Sequence, residues 1–392
     1  MNSSSPPTAP RIYLDNAATS WPKPASVYQA IEHYMREVGA PAGRGAYAEA
    51  IEVDKTISLA RNGVAQLLGA KSSKEVVFTA GCTDALNLAM HGLLKAGDHL
   101  VVTAVDHNSV LRPARFLEEH VGVQVSRVPC NAGGVLDPQD VRQAMLPNTR
   151  LVCVNHASNV TGMIQPLAEI SRLVHETSAL LLVDGAQSVG HIAFDVQQLN
   201  ADLVAISGHK GMLGPSGIGV LYIREGLETQ ITPQRQGGTG SHSDDDRQPQ
   251  TMPDRFESGS PNVYGLVGLN DAIKFLMMWG VNNICQHERQ LTAKLLAGLQ
   301  AIPKITVYGS SNTDDRVGVV SVNMEGYDPR ELAAMLDLSG IRVRSGIHCA
   351  PLMHQALGTL EMGGTVRFSF GLFNTEDEVQ AVIDALQAIA DA

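Results

Sequence analysis

The sequence predicts an α/β protein whose main sheet is mostly parallel, and three observations lead to this prediction. From about residue 75 to residue 225, short apolar runs alternate with segments of helical length, the pattern of parallel strands joined by crossover helices. Two of these runs end in turns that combine glycine with charged residues. With 392 residues, of which 44% are apolar and 18% are charged, the chain is long enough for two domains of ordinary composition.

The elements of the main sheet follow one another along the first two thirds of the chain. A helical pattern covers residues 48–68 and ends at Gly69, a residue suited to the position after a helix. Strands are then predicted at residues 76–79, 100–103, 123–125, 151–154, 180–183 and 203–206. Residues 234–260 are rich in Gly, Ser, Asp and Pro and predict a long loop.

A smaller α+β domain is predicted after the long loop. Residues 263–301 have a helical pattern that Pro303 stops, and Thr375 with Glu378 forms a capping box for a final helix. Between them lie strand-like segments at 317–322, 341–343 and 366–370 and a helical segment at 328–338. We expect a tail (1–10), a large domain (11–265, in which 11–35 is a candidate to pack with the small domain), and a linking helix with the small domain (266–392).

Composition argues against several classes of partner and location. The net charge is -11 without a run of Lys or Arg, which argues against nucleic acid or an anionic membrane as a partner. No apolar stretch approaches the roughly 20 residues that span a bilayer, and residues 1–10 lack the pattern of a secretory signal. The five cysteines include no CxxC pair, so we expect neither a disulfide framework nor a metal site and favour a cytoplasmic location.

The most informative residues are an acid and a lysine that follow two of the predicted strands. Asp184 ends the run Leu180-Leu181-Leu182-Val183, and Lys210 follows strand 203–206 in Ser207-Gly208-His209-Lys210. Ligands of open α/β sheets collect at the carboxyl ends of the strands. A lysine that forms a Schiff base and a carboxylate that keeps the pyridine nitrogen protonated suit pyridoxal phosphate (PLP). The pair therefore predicts a PLP site.

Further candidates lie at the other strand ends. Cys82 and Thr83 begin a helix after a glycine turn, where backbone N–H groups bind phosphate, although Thr83 could equally be a plain N-cap. His107 could stack on a cofactor ring and move protons, or be an ordinary loop histidine. Asn159 could hydrogen-bond the phenolic oxygen of the ring.

Two more candidates lie near the C-terminus. Cys349 stands in Arg342-Val343-Arg344-Ser345-Gly346-Ile347-His348-Cys349-Ala350-Pro351, where an imidazole and two arginines favour a nucleophilic thiolate. The alternative is a buried loop cysteine. Arg367 interrupts an apolar strand pattern, and a buried arginine needs an anionic partner, either a substrate carboxylate or a structural salt bridge.

Together these motifs resemble the cysteine desulfurases, fold-type I PLP enzymes of the class V aminotransferase superfamily. The resemblance runs from Tyr13-Leu14-Asp15-Asn16-Ala17-Ala18-Thr19 to Phe373-Asn374-Thr375, and the segment around Lys210 and the RxGxHCA segment 344–350 are its most specific parts. The latter is similar to the branch with a short cysteine segment, shared with the selenocysteine lyases. The resemblance implies an α/β fold-type I transferase with a mostly parallel seven-stranded sheet in the large domain, a smaller α+β C-terminal domain, and a homodimer.

The resemblance also implies a role for each candidate. Lys210 is the Schiff-base lysine, Asp184 pairs with the pyridine nitrogen, Gln187 contacts the ring hydroxyl, and His107 stacks on the ring and takes part in catalysis. The phosphate is held by Thr83, Ser207 and His209 with the backbone of Cys82 nearby, and Thr239 is the candidate from a neighbouring subunit. Asn159 orients the ring and contacts the substrate, Arg367 binds the substrate carboxylate, and Cys349 receives the sulfur. Cys82 departs from the family, because many relatives have threonine there.

The implied activity is that of a cysteine desulfurase, which converts L-cysteine to L-alanine and transfers the sulfur to Cys349 as a persulfide. A sulfur-acceptor protein would be a further partner. Two alternatives stay open, a selenocysteine lyase acting on L-selenocysteine and a cysteine or cystine C–S lyase, neither of which requires the persulfide. A class V transaminase has no use for the His348-Cys349 segment, and a non-catalytic sulfur-transfer scaffold has none for Lys210 and Asp184.

Overall fold

The computed structural model describes residues 11–43, 45–241 and 244–392. The predicted tail, residues 1–10, lies outside the described residues. In chain order the strands are β1 (Ile12–Tyr13), β2 (Val76–Thr79), β3 (His99–Thr103), β4 (Gln124–Val128), β5 (Thr149–Asn155), β6 (Leu180–Asp184), β7 (Leu203–Ser207), β8 (Gly219–Ile223), β9 (Ile305–Tyr308), β10 (Val319–Met324), β11 (Ile341–Arg342), β12 (Arg344–Gly346) and β13 (Thr365–Ser369).

The helices alternate with the strands of the main sheet and then frame the C-terminal part. They are α1 (Ala25–His33), α2 (Ala48–Leu67), α3 (Cys82–Leu93), α4 (Asn108–His120), α5 (Pro138–Ala144), α6 (Leu167–Val174), α7 (Val263–Trp279), α8 (Val281–Gln300), α9 (Pro329–Leu338), α10 (Pro351–Ala356) and α11 (Glu376–Asp391). None of the described helices has the length and apolar character needed to cross a membrane.

A seven-stranded sheet forms the centre of the molecule, with the order β2-β8-β7-β6-β5-β3-β4. Six strands are parallel to one another, and β8 is antiparallel to both of its neighbours. The predicted mostly parallel seven-stranded sheet is confirmed. Strand β8 did not stand out in the sequence pattern, because Gly219-Val220-Leu221-Tyr222-Ile223 follows glycine-rich loop residues without a helix before it.

The inner strands of the sheet are buried on both faces, which explains their apolar sequences, whereas the edge strand β4 is partly exposed. Along β3, Val101 packs into the core on one face, while Leu100 and Val102 pack into the core on the other. Because the sheet is covered by helices on both sides, its accessible edge for a ligand is the row of carboxyl strand ends.

The C-terminal part has a second, antiparallel sheet with the order β12-β13-β10-β9 and its own core. The N-terminal strand β1 pairs with β11, so residues near the start of the described chain lie against the C-terminal part of the molecule. The single helix predicted over 263–301 is wrong. Gly280, with a φ of +80°, ends α7 and starts α8, because this left-handed backbone suits glycine and interrupts the helix.

Candidate active site

A cavity of about 670 Å³ opens at the carboxyl ends of the parallel strands. It is lined by nine of the residues that the sequence singled out, Cys82, Thr83, His107, Asn159, Asp184, Gln187, Ser207, His209 and Lys210. Strand register explains this convergence, since Asn155 at the end of β5 is paired with Asp184 at the end of β6, and Asp184 with Ala205 in β7. Arg367, Cys349 and Thr239 are not among the residues that line this cavity.

Lys210 and Asp184 have the electrostatic setting of a reactive amine beside a fixed carboxylate. Burial lowers the pKa of Lys210, and the nearby Asp184 carboxylate acts in the opposite direction. Asp184 is 4% exposed, and its Oδ1 accepts a hydrogen bond of 2.9 Å from the backbone N–H of Ala186. The carboxylate is therefore oriented by the turn that follows β6.

Cys82 contacts the same carboxylate. Its thiol donates to Asp184 Oδ1 at 3.4 Å, and burial together with the Asp184 charge raises the pKa of Cys82 well above its ordinary value. Cys82 is thus a neutral hydrogen-bond donor rather than a nucleophile.

The N-terminus of α3 opens into the cavity without a side-chain cap. The N-cap residue is Gly81, with extended backbone at φ 166°, and Thr83 lies inside the first turn, so the alternative that Thr83 is a plain N-cap does not apply. A Cβ atom at Gly81 would meet no atom within 4 Å, whereas one at Gly219 would overlap the backbone of Gly81. The helix end therefore presents backbone N–H groups to an open cradle, as a phosphate site requires.

His107 is held as a neutral imidazole at the cavity wall. It is the N-cap of α4, and its Nδ1 accepts from the backbone N–H of Ser109 at 3.0 Å. Burial, followed by the positive charge of Lys210, lowers the pKa of His107 to about 4. Because Nδ1 is an acceptor, the ring proton lies on Nε2. The Ser109 hydroxyl also contacts Thr83 Oγ1 at 2.7 Å, which links the histidine to the helix terminus.

Buried polar atoms without a partner show that the cavity suits a polar ligand. Among the described residues, Asn159 Oδ1 and His209 Nδ1 are buried and have no hydrogen-bond partner. Gln187 uses its Nε2 to bind the carbonyl of Ala17 at 2.9 Å, which leaves its carbonyl oxygen for a ligand. With the uncapped α3 terminus, Asp184 and Lys210, these atoms fit the phosphate, ring nitrogen, ring oxygen and aldehyde of PLP.

Cys349 lies in an adjoining cavity of about 630 Å³ that shares Thr83, Asn87, His107 and Ser109 with the first. Its backbone is unusual, since His348 and Cys349 have φ values of +49° and +59°. Such backbone costs about 1–3 kcal/mol per residue and persists where the surroundings hold it. Here two hydrogen bonds of 2.7 Å hold the backbone. Asn159 Nδ2 donates to the carbonyl of His348, and the backbone N–H of Asn108 donates to the carbonyl of Cys349.

Of the three cationic groups expected near Cys349, the structure brings one to the sulfur. Arg344 Nη2 is 3.9 Å from Cys349 Sγ. Arg342 instead binds Asp337. His348 is 3% exposed, contacts Thr365, and is neutral, because burial and the nearby Arg367 lower its pKa well below the ordinary value. The expectation that imidazole and both arginines assist the thiolate is therefore corrected to Arg344 alone.

Arg367 lies beside the cavity, on β13. It is 1% exposed, donates to the backbone carbonyl of Asn159 at 3.1 Å, and forms an ion pair of 2.6 Å with Asp15. Its Nε is buried without a partner among the described residues. A structural salt bridge, the alternative explanation for a buried arginine at this position, is thus present. The binding of a substrate carboxylate by Arg367 stays a prediction.

Thr239 lies in a different groove, lined also by Phe78 and Arg235, and its hydroxyl contacts Ser241. Reasoning from the sequence did not assign Ser109, Asn155 or Asp15. Ser109 was detectable from its spacing, because a hydroxyl two residues after a histidine at a strand end can bind the ring. The pairing of Asp15 with Arg367 spans 352 residues, and no local pattern points to it.

Comparison with known proteins agrees with this geometry. The family model described as aminotransferase class-V matches residues 12–382. The chain is 38% identical to a probable cysteine desulfurase of Methanothermobacter thermautotrophicus, over 97% of this chain and 94% of that protein. It is 34% identical to a cysteine desulfurase of Shigella sonnei, over 97% and 93% of the two chains.

Solved structures give the same result. The cysteine desulfurase from Thermococcus onnurineus, in its apo form, superposes on this chain with a TM-score of 0.91 at 35% sequence identity. The superposition covers 97% of this chain and 95% of that structure. The cysteine desulfurase CsdA (S-sulfonic acid) from Escherichia coli has a TM-score of 0.88 at 30% identity, with the same coverage of both chains. The chain therefore belongs to the cysteine desulfurases, PLP-dependent enzymes of the aminotransferase class-V family with the fold-type I architecture.

Proposed function

We propose that this chain converts L-cysteine to L-alanine and transfers the sulfur to Cys349 as a persulfide. The observation that supports this most directly is the position of Cys349, in a cavity that shares four residues with the proposed cofactor site. A thiol beside the place where substrate sulfur would lie suits sulfur transfer, and the relatives are named for desulfuration of cysteine.

The residues of the first cavity would hold PLP. The N-terminus of α3 with Thr83, Ser207 and His209 would bind the phosphate, and Lys210 would bind the aldehyde carbon. Asp184 would keep a proton on the pyridine nitrogen, and the ring hydroxyl would donate to the free amide oxygen of Gln187 or of Asn159. His107, a flat neutral ring at the cavity wall, would lie against the face of the cofactor.

Lys210 would transfer the proton at the substrate Cα. Bound PLP supplies an electron-withdrawing ring that stabilises negative charge at this carbon. The Lys210 amine is a base of lowered pKa in a largely buried site, and it would move the Cα proton. Arg367, held by Asp15, would bind the substrate carboxylate and so fix which Cα bond reacts.

The sulfur step balances without a further reagent. The Cys349 thiolate, with Arg344 3.9 Å from its sulfur, attacks the sulfur of the substrate. An S–S bond forms, the Cβ–S bond breaks, and the electron pair of that bond together with a proton ends on Cβ, which becomes the methyl group of alanine. L-Cysteine and a protein thiol thus give L-alanine and a protein persulfide.

Two further parts of the proposal concern partners. A second copy of the chain would bring Thr239, which lies away from its own cavity, to the phosphate site of its neighbour. An acceptor protein would collect the sulfur from Cys349, since this residue is half-buried and the cavity around it is open to the surface.

The experiment that tests the proposal measures all products of one reaction. Purified protein loaded with PLP is incubated with L-cysteine, and alanine, free sulfide and protein-bound persulfide are measured together. Without an added reductant we expect alanine to equal protein-bound persulfide, approaching one per chain. After dithiothreitol is added to reduce the persulfide, alanine should equal the sum of sulfide and persulfide. Pyruvate, measured in the same reaction, appearing with sulfide and without alanine or persulfide would support a C–S lyase, and activity confined to L-selenocysteine would support a selenocysteine lyase; either result contradicts the proposal.

A further inference from the structure

The peptide that joins His209 to Lys210 is held by the N-terminal segment Thr19–Lys23. The carbonyl of His209 accepts hydrogen bonds from the backbone N–H of Ser20 at 3.0 Å, from Thr19 Oγ1 at 3.1 Å and from Ser20 Oγ at 3.2 Å. Ser20 Oγ is also 3.0 Å from the carbonyl of Lys210. No residue of the lysine's own loop donates to the His209 carbonyl among the described residues, so this peptide depends on a distant segment for its position.

Lys23 adds a charged donor to this contact. Its Nζ lies 2.8 Å from the carbonyl of His209 and 2.7 Å from Ser20 Oγ. Burial lowers the pKa of Lys23 to about 8, and within the described part of the chain no carboxylate offsets that burial. A half-buried ammonium without a carboxylate is costly in free energy, because only hydrogen bonds to neutral acceptors compensate here for the loss of hydration. Hydrogen bonds from an ionised donor are stronger than neutral ones, so this contact restrains the carbonyl more than a hydroxyl would.

The same segment also reaches the other half of the site. Asp15 pairs with Arg367, and the carbonyl of Ala17 accepts from Gln187. The chain from 15 to 23 thus contacts the proposed carboxylate-binding arginine, a ring-contacting side chain and the lysine peptide.

We infer that Lys23 is a positioning residue for Lys210, which fixes the peptide between His209 and Lys210 and thereby aims the lysine amine and the His209 ring into the cofactor cavity. The inference rests on the proposed role of Lys210. Lys23 itself is not among the residues that line the cavity, so it acts through the backbone of its neighbours.

The test is the rate at which apo-protein takes up PLP, followed by the visible absorbance that a lysine–PLP adduct gives. Lys23→Met keeps the aliphatic stem and removes the ammonium, Lys23→Arg keeps a charged donor, and Lys274→Met, on an exposed part of α7, is the matched control. We expect Lys23→Met to slow uptake by about tenfold and to lower kcat for L-cysteine more than it raises KM, because small misplacements of a reacting group have effects of this size. Lys23→Arg should recover most of the rate, and Lys274→Met should equal the wild type.

The outcomes separate this inference from the proposed function. If Lys210→Ala takes up PLP with the wild-type colour, the assignment of Lys210 is wrong. If Lys210→Ala loses the colour while Lys23→Met has the wild-type uptake rate, spectrum and kcat, only the inference about Lys23 is overturned. A lowered melting temperature of Lys23→Met with unchanged uptake and kcat would show a structural role only and would also overturn the inference. Should Lys23→Met fail to fold, Ser20→Ala, which removes two hydroxyl contacts to the same carbonyls, must slow uptake; a wild-type rate in that variant overturns the inference.

Discussion

Asp184 is oriented before any ligand binds, because the backbone of Ala186 and the thiol of Cys82 both hold its Oδ1. The residue thus has little freedom to adapt, and in the proposed function its charge would keep a proton on the pyridine nitrogen. Sequence reasoning located this residue, since an acid that ends a buried apolar strand has few structural explanations.

Replacing Asp184 by Asn tests that charge. The amide has nearly the same shape, so PLP should still bind, but the ring nitrogen loses its anionic partner. Removing one electrostatic partner of a developing charge lowers rates by about 10²–10³. The measurement is kcat with L-cysteine at matched PLP content, with Cys82→Thr as a control that keeps a donor to Asp184. A loss below tenfold for Asp184→Asn would mean that another group holds the nitrogen.

Arg367→Ala should raise the KM for L-cysteine by about 10–100-fold while changing PLP affinity little. The reason is that a charge-assisted hydrogen bond contributes about 1.5–3 kcal/mol. Asp15→Asn breaks the ion pair of Arg367 but leaves the guanidinium, so it should have a smaller effect on KM. Steady-state kinetics and PLP titration of both variants provide the check. Equal effects of the two substitutions would identify Arg367 as a structural residue.

Around Cys349, the sequence could predict the kinds of residue present but not which of them reach the sulfur. Arg342, Arg344 and His348 are all within seven positions of the cysteine, yet only Arg344 lies near it. The left-handed backbone of His348 and Cys349 redirects the chain, and contacts from Asn108 and Asn159, far away in sequence, hold that conformation. Such long-range contacts have no local sequence signal.

At the scale of elements, the inner strands of the sheet were predictable because they are buried on both faces and read as continuous apolar runs. The elements that escaped prediction are short or lie next to glycine. Strand β12 contains three residues, and its pairing with β13 comes from tertiary contacts. The division of α7 from α8 depends on the backbone angle of one glycine, which a periodic pattern does not reveal.

The α3 terminus allows a paired test with two glycines. Gly81→Ala places a methyl group in open space on extended backbone, so the melting temperature should stay near that of the wild type while PLP affinity falls about tenfold. Gly219→Ala forces a methyl group against the backbone of Gly81, so both stability and PLP affinity should fall, with about 1–3 kcal/mol lost in unfolding free energy. Thermal melts of the apo-proteins and PLP titrations measure the two effects. Unchanged PLP affinity in Gly81→Ala would place the phosphate elsewhere.

At the scale of the whole molecule, several buried polar contacts connect the main sheet to the C-terminal part. One is the ion pair between His191, which follows β6, and Glu288 on α8, with an Nδ1–Oε2 distance of 2.9 Å. Burial acts to lower the pKa of His191, but the Glu288 charge and hydrogen bond outweigh it and raise that pKa. The pair therefore stabilises the fold fully below the unfolded histidine pKa of about 6.5, and this contribution is lost as pH rises through the folded pKa.

Glu288→Gln should accordingly lower stability more at pH 6 than at pH 9. Breaking a buried pair lowers the unfolding free energy by about 3 kcal/mol, and most of this should be seen at pH 6. Urea unfolding at the two pH values measures the difference. Glu376→Gln, which removes an exposed partner of Lys294, is the control and should have little effect at either pH. A loss that is equal at both pH values would show that the charge on His191 does not contribute.

The central claim is that Cys349 takes the sulfur from L-cysteine, and the most direct test is Cys349→Ser, with Cys285→Ser on α8 as the matched control. Serine is far too weak a nucleophile toward sulfur to replace the thiolate, whereas Lys210, Asp184 and His107 are unaffected by the change. The measurement is alanine and protein-bound persulfide formed from L-cysteine by each PLP-loaded protein. We predict that Cys349→Ser changes colour with L-cysteine but forms neither product, while Cys285→Ser behaves as the wild type. Release of alanine by Cys349→Ser at the wild-type rate would contradict the account and identify the enzyme as a lyase.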